Sequence, residues 1–407
     1  MRTAVAGHNE PERRTPPRAA VLVSTAVAFS LLGDQALYTI LPTHFEDLGI
    51  LGIHVGVLLS VNRWIRLLTN HVAERLVRRF DVTYTLVLAL TVGAGTTLLY
   101  GIVSNFTVLL LARMTWGLCW SFLRQLGTMA AVDSADDRSV GRSVGLFHGI
   151  SRIGSIVGFL LGGLLYEQVG YAVTFVILAA SSMLAVPAAF AAGVHRYVHS
   201  SQFMGPQPPP PAHRRSGPIP CAIVSGLALS AVAASLGYSL LGKIGQSVTV
   251  GSIGIGIVVV NGILLASRHI IGTVGAPLLG HLLDRIGHKR SMTLFTMGAA
   301  LALFAASVVS ALSVLLGLLL CFFACGTAVH LSLTSQAGKR GARSFAHFVS
   351  ASDLGAAAGP GLIWLVLEFV KQPALPFLAG GALYVVAFFL SATSRSAPAI
   401  SAEEPTV

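Results

Sequence analysis

Apolar stretches of about 20 residues recur along almost the whole chain, each long enough to cross a hydrocarbon layer of about 30 Å as a helix. They predict twelve helices in two sets of six. The first set covers 19–42, 53–75, 82–103, 106–130, 142–165 and 170–194. The second covers 219–242, 253–282, 290–312, 313–336, 343–368 and 374–394. Strand-like alternation with period two is missing, which argues against an outer-membrane barrel. The expected fold is an all-α membrane protein with two six-helix bundles, 19–194 and 219–394. Between them, segment 195–218 holds Gln207-Pro208-Pro209-Pro210-Pro211 and Arg214/Arg215. Consecutive prolines favour extended polyproline II, so it reads as a linker. Residues 1–18 and 395–407 read as polar tails, and the first helix as retained rather than cleaved as a signal peptide.

Composition agrees with this pattern: of 407 residues, 54% are hydrophobic and 11% charged, with a mean hydropathy of +0.76. The formal net charge of +11 invites a nucleic-acid partner, but the basic residues sit in short clusters between the apolar runs. Arg75/Arg78/Arg79, Arg138/Arg142, Arg196/Arg214/Arg215, Arg285/Lys289/Arg290 and Lys339/Arg340/Arg343 fall in alternate connections, as cytoplasmic loops do. Both termini are therefore expected in the cytoplasm and no nucleic acid is expected as a partner.

The two halves carry the same sequence twice. Segment 142–154 aligns without a gap with 343–355, placing Arg152 opposite Asp353. Segment 56–79 aligns in the same way with 262–285. Two repeated helices in the same order on either side of a linker describe parallel halves related by an axis along the membrane normal.

The segment Gly280-His281-Leu282-Leu283-Asp284-Arg285-Ile286-Gly287-His288-Lys289-Arg290 resembles the signature loop of the major facilitator superfamily, Gly-x-Leu-x-Asp-Arg-x-Gly-Arg-Lys. In the first half Glu74, Arg78 and Asp81 stand where the second has Gly280, Asp284 and Gly287. Arg113-Met114-Thr115-Trp116-Gly117 resembles that family's Arg-x-x-x-Gly motif, whose arginine is associated with proton coupling. Gly154, Gly158, Gly162 and Gly163 resemble its antiporter motif, with Phe159 at the proline position; Gly355, Gly359 and Pro360 form a partial second copy. Small residues at this spacing let helices approach closely. The resemblance implies a secondary transporter, closest in motifs to the drug and efflux antiporter branch. It implies no enzyme and no cofactor.

An ionised group at the centre of a membrane helix costs about 2.5–3.5 kcal/mol on insertion scales, so each needs a partner or a wet cavity. Asp34 in the first helix is the expected proton or cation site, with Arg113 as its electrostatic control, unless Arg113 snorkels to the outer surface. Arg152 and Asp353 are expected to face one cavity as an interhalf pair, or each to pair within its own half. Arg66 is a candidate partner for Asp34. Arg63, Arg268, His269 and His330 complete the polar groups inside helices. The last is either a titrating group or a hydrogen-bonded packing residue.

His44, Glu46, Asp47 and His54 read as a solvated loop rather than a metal site, and Cys119, Cys221, Cys321 and Cys325 as packing residues, so no metal is expected. Trp64, Trp116, Trp120, Trp364, Tyr38 and Tyr238 either anchor and pack helices or meet a planar or cationic solute. No nucleotide-binding loop of the Gly-x-x-x-x-Gly-Lys-Ser/Thr kind is present, which argues against direct ATP driving.

Three functions stay open at this stage: proton-coupled efflux of a small organic solute, movement of an anionic solute or metal chelate on the arginine excess, and a non-transporting sensor with the same fold. The expected setting is a bacterial inner membrane, with the bilayer, protons and a small molecule as partners and a monomeric state.

Overall fold

The computed structural model describes residues 18–77, 81–133, 135, 140–192, 219–250 and 252–393. The tails, the linker 195–218, Arg78, Arg79 and Arg138, and the side chains of Glu74 and Arg75 lie outside the described residues.

In hydrocarbon every backbone N–H and C=O must find its partner within the segment, so the apolar runs fold as helices. The first bundle consists of α1 (Arg18–His44), α2 (Gly52–Val77), α3 (Val82–Ile102), α4 (Phe106–Asp133), α5 (Val140–Val169), α6 (Tyr171–Met183) and α7 (Ala185–Ala192). The second consists of α8 (Ile219–Ile244), α9 (Ile257–Ile286), α10 (His288–Val308), α11 (Leu312–Lys339), α12 (Ala342–Val370) and α13 (Leu375–Thr393). The sixth span is broken because Pro187 cannot donate a helical hydrogen bond and its ring crowds the preceding turn, so α6 gives way to α7 at Leu184.

Among the described residues, eleven helical spans are long and apolar enough to cross a membrane. The twelfth span, α2, carries Asn62, Arg63 and Arg66 and is not one of them, yet it packs between α4 and α12.

One expectation fails at the start of the eighth span. Residues 253–256 are strand rather than helix. β1 (Ser247–Val250) and β2 (Ile253–Gly256) pair antiparallel, Ser247 opposite Gly256 and Val250 opposite Ile253. The β-branched run Val248-Thr249-Val250 suits a hairpin, and the ladder supplies the hydrogen bonds that a helix would otherwise have to provide.

The bundles repeat each other's packing. α1 lies along α5 as α8 lies along α12, and α2 against α4 as α9 against α11. The halves meet along two seams, α2 on α12 and α5 on α9. The connections α9–α10 and α11–α12 carry Arg285, Lys289, Arg290, Lys339, Arg340 and Arg343; this is called the basic end below.

Candidate functional site

Small residues bring the helices of each half into close contact. Gly154 and Gly162 of α5 rest on the α1 backbone at Ala28 and Ala36, and a Cβ at Gly158 would stand 2.9 Å from the Leu32 carbonyl oxygen. A Cβ at Gly359 of α12 would lie 2.6 Å from the Leu227 carbonyl oxygen, and Gly355 packs on Ile223 in the same way. Pro360 meets the opposite half: a Cβ at Gly56 of α2 would lie 2.9 Å from its carbonyl oxygen. Contacts this close hold helices by dispersion, which must serve where lipid removes the hydrophobic drive.

Within the first half, Arg113 of α4 is wholly buried and forms an ion pair with Asp34 of α1. Its Nε donates to the Leu58 carbonyl at 2.9 Å, and Nη2 to the Tyr38 hydroxyl at 3.4 Å. The second Asp34 oxygen accepts from the Gln35 amide at 2.8 Å. The Tyr38 and Tyr100 rings lie 5.5 and 5.8 Å from the guanidinium carbon. Arg113 therefore points into the bundle and does not snorkel. Arg113, rather than Arg66, holds Asp34.

Below this pair a cavity of about 250 Å³ lies between the halves. Its charged walls are Arg63 and Arg66 of α2, Arg152 of α5, Arg268 of α9 and, at the far side, Asp34. Asn62, Ser151, Trp116 and Trp120 fill intervening wall. Arg63 donates across the seam to the Ala356 carbonyl at 2.9 Å. Arg152 donates across the other seam to the Gly272 carbonyl at 3.1 Å and the Thr273 hydroxyl at 3.2 Å. Arg66 and Arg268 make no hydrogen bond to any described residue.

Arg152 and Asp353 do not pair. Helix α5 faces α9 while α12 faces α2, so matched positions on the repeated helices sit at different seams. Asp353 instead lies within electrostatic reach of Arg66 and His330. His330 is not in the cavity wall; its ring stands 5.5 Å from that of Phe348.

The interhalf bonds lie at the depth of Arg152 or beyond it, away from the basic end. Toward that far end the Gly361 N–H donates to Ser60 Oγ at 2.8 Å, Asn261 donates to the Thr39 carbonyl at 2.8 Å, and Glu368 accepts from the Ile53 N–H at 3.0 Å.

The loop after α9 lies at the basic end. Gly287 holds φ 83°, which favours glycine, and its N–H caps α9 on the Leu283 carbonyl at 2.9 Å. Gly280 makes no close helix contact, since a Cβ there would meet nothing within 4 Å. Asp284, Arg285 and Arg290 are exposed.

At the far end His44 is taken up by Asp47 at 2.9 Å and Tyr166 at 3.0 Å, and His54 stacks on Phe106 at 4.0 Å. No group of three or more metal-ligating side chains gathers among the described residues.

Sequence reasoning missed Asn62, Ser151, Gln35 and Tyr100 as parts of this site. A signal existed for the first: aligning Gly56 with Gly262 sets Asn62 opposite Arg268 and Arg63 opposite His269.

Two helical bundles closing on a polar cavity define a polytopic membrane transporter fold. The chain belongs to the Major Facilitator Superfamily, whose sequence profile matches residues 23–326. It is 28% identical over 179 residues to the probable vesicular acetylcholine transporter-B of Danio rerio, covering 41% of this chain and 36% of that protein. It is 27% identical over 165 residues to the synaptic vesicular amine transporter of Homo sapiens, covering 40% of this chain and 32% of that one. The match thus spans about a third of those relatives' own length. Among solved structures, the nucleoside transporter NupG superposes with a TM-score of 0.72 at 15% identity, covering 93% of this chain and 98% of that one. A bacterial homologue of the human lysosomal transporter Spinster, inward-facing and occupied, gives 0.73 at 14% identity, covering 95% and 100%. These likenesses establish the fold.

Proposed function

We propose that the chain is a secondary transporter that carries a small anionic organic solute, free or as a metal chelate, by alternating access. One observation carries this reading. Four guanidinium groups face the cavity, whereas Asp34, its lining carboxylate, is already engaged by Arg113 and Gln35. Guanidinium groups suit carboxylate and phosphate, which accept paired N–H donors. With basic loops placed in the cytoplasm by the positive-inside rule, the cavity opens inward, both termini are cytoplasmic, and a bacterial inner membrane is the natural setting. The protein acts as a monomer, each chain holding one complete cavity.

A second reading is proton-coupled efflux of a cation. It draws on the names of the acetylcholine and amine relatives and on the antiporter-like run 154–163. In it Asp34 exchanges Arg113 for a proton. A scaffold that has lost transport has no structural feature in its favour.

Proteoliposomes loaded with radiolabelled organic acids, and in parallel with quaternary amines, separate these readings. The anionic reading requires flux of at least one acid, lost in Arg268→Gln. Flux confined to amines, driven by an imposed pH gradient and abolished in Asp34→Asn, sinks it and supports the second.

A further inference from the structure

Resting on the anionic reading, we infer that the solute also carries an O–H or N–H donor close to its charge, as a hydroxy- or amino-substituted acid does, and that Asn62 reads that donor.

The cavity wall holds three polar side chains with a buried atom that has no partner: Asn62 Oδ1, Arg66 Nε and Ser151 Oγ. Asn62 is 5% exposed and Ser151 8% exposed, so neither is compensated by bulk solvent. Buried polar groups in folded proteins are almost always paired, and three such atoms belong to residues that line the cavity, where a bound solute can meet them.

Their chemistry is not uniform. Arg66 only donates, and with Arg63, Arg152 and Arg268 it makes the wall rich in donors. Asn62 adds an acceptor. Asp34 is the carboxylate there, and Arg113 and Gln35 engage it; the Gln35 amide oxygen and the His148 and His269 rings are further acceptors of the wall. The Asn62 amide has no partner at either end among the described residues, so rotating it by a half-turn presents oxygen or nitrogen to the cavity. Facing four guanidinium groups, the oxygen is the end that complements the wall. Asn62 and Arg66 are four residues apart on α2 and share one face of it, one turn apart. A solute whose anionic group lies on Arg66 therefore puts its neighbouring substituent at Asn62.

A bare anion offers acceptors alone and leaves the Asn62 oxygen unpaired when the halves close and strip the cavity of water. An unpaired buried acceptor weakens binding about tenfold or more. The cavity, about 250 Å³, has room for a small acid.

The test measures binding to the purified full chain with matched anion pairs: malate against succinate, 3-hydroxybutyrate against butyrate, and glycerol 3-phosphate against propyl phosphate. The carboxylate and phosphate arms identify the anionic group. In at least one pair the hydroxylated member should bind about tenfold tighter or more. That ratio should collapse toward one in Asn62→Leu and persist in Asn62→Gln, while Arg66→Gln should weaken both members together. Equal affinity within every pair that binds overturns the donor inference and leaves the anionic reading standing. Binding of amines with no binding of any acid overturns both. Should Asn62→Leu not fold, Asn62→Gln and the unaltered chain still decide the matter.

Discussion

Arg113 of α4 and Asp34 of α1 form an ion pair in which the arginine is wholly buried and two further donors are met by the Leu58 carbonyl and the Tyr38 hydroxyl. Removing one partner of such a pair strands a charge, at a cost of about 3–5 kcal/mol. Asp34→Asn and Arg113→Met should each lower stability by that order. The double change Asp34→Leu with Arg113→Met should regain most of it. Denaturant titration in detergent measures the cycle; an Asp34→Asn protein as stable as the parent contradicts this account.

Asp353 lowers the positive potential around Arg66 from across the seam. Asp353→Asn should tighten anion binding about 1.4-fold to fivefold, the equivalent of ~0.2–1 kcal/mol for a partly exposed charge pair. The gain should shrink with added salt, as screening requires. Unchanged or weaker anion affinity would separate Asp353 from the cavity.

Two glycines on repeated helices should behave in opposite ways. A Cβ at Gly359 meets the α8 backbone, so Gly359→Ala should cost about 1–3 kcal/mol. Gly280→Ala enters open space within α9 and should be neutral or stabilising by up to about 1 kcal/mol. Melting curves of the two variants check the contrast.

Glu368 accepts from the first turn of α2 across the halves, where a carboxylate also meets the positive end of the helix. Glu368→Gln removes about 0.3–1 kcal/mol of this attraction and should shift the population about twofold to fivefold toward opening at that end. The measurement is alkylation of Ser60→Cys by a membrane-impermeant reagent, in a chain without its native cysteines. Equal labelling with and without Glu368→Gln would show that Glu368 is no latch.

Much of this architecture could be read from hydropathy and repetition, because helix length and spacing respond to local composition. The twelve spans lie within a few residues of their expected limits, and the small residues from Gly154 to Gly162 sit on α1. The hairpin of residues 247–256 was missed because a short apolar run has the same look as strand or as helix end. The Arg152–Asp353 pairing failed for a different reason. Sequence symmetry gives the depth of a residue in its helix but not the seam it faces, which follows from how the halves dock. Asn62 was passed over because one neutral amide carries no insertion penalty large enough to stand out beside arginines.

The two seams are tied in the same manner: Arg63 to the Ala356 carbonyl and Arg152 to the Gly272 carbonyl. A main-chain oxygen returns to the same face of a helix about once per turn, ~5.4 Å further along the axis. A guanidinium holding one such oxygen can let go and catch the one a turn away, since most of what it needs is backbone. Helices joined this way can shift past one another by a turn, and substitutions along the receiving helix leave the rungs of the ladder in place.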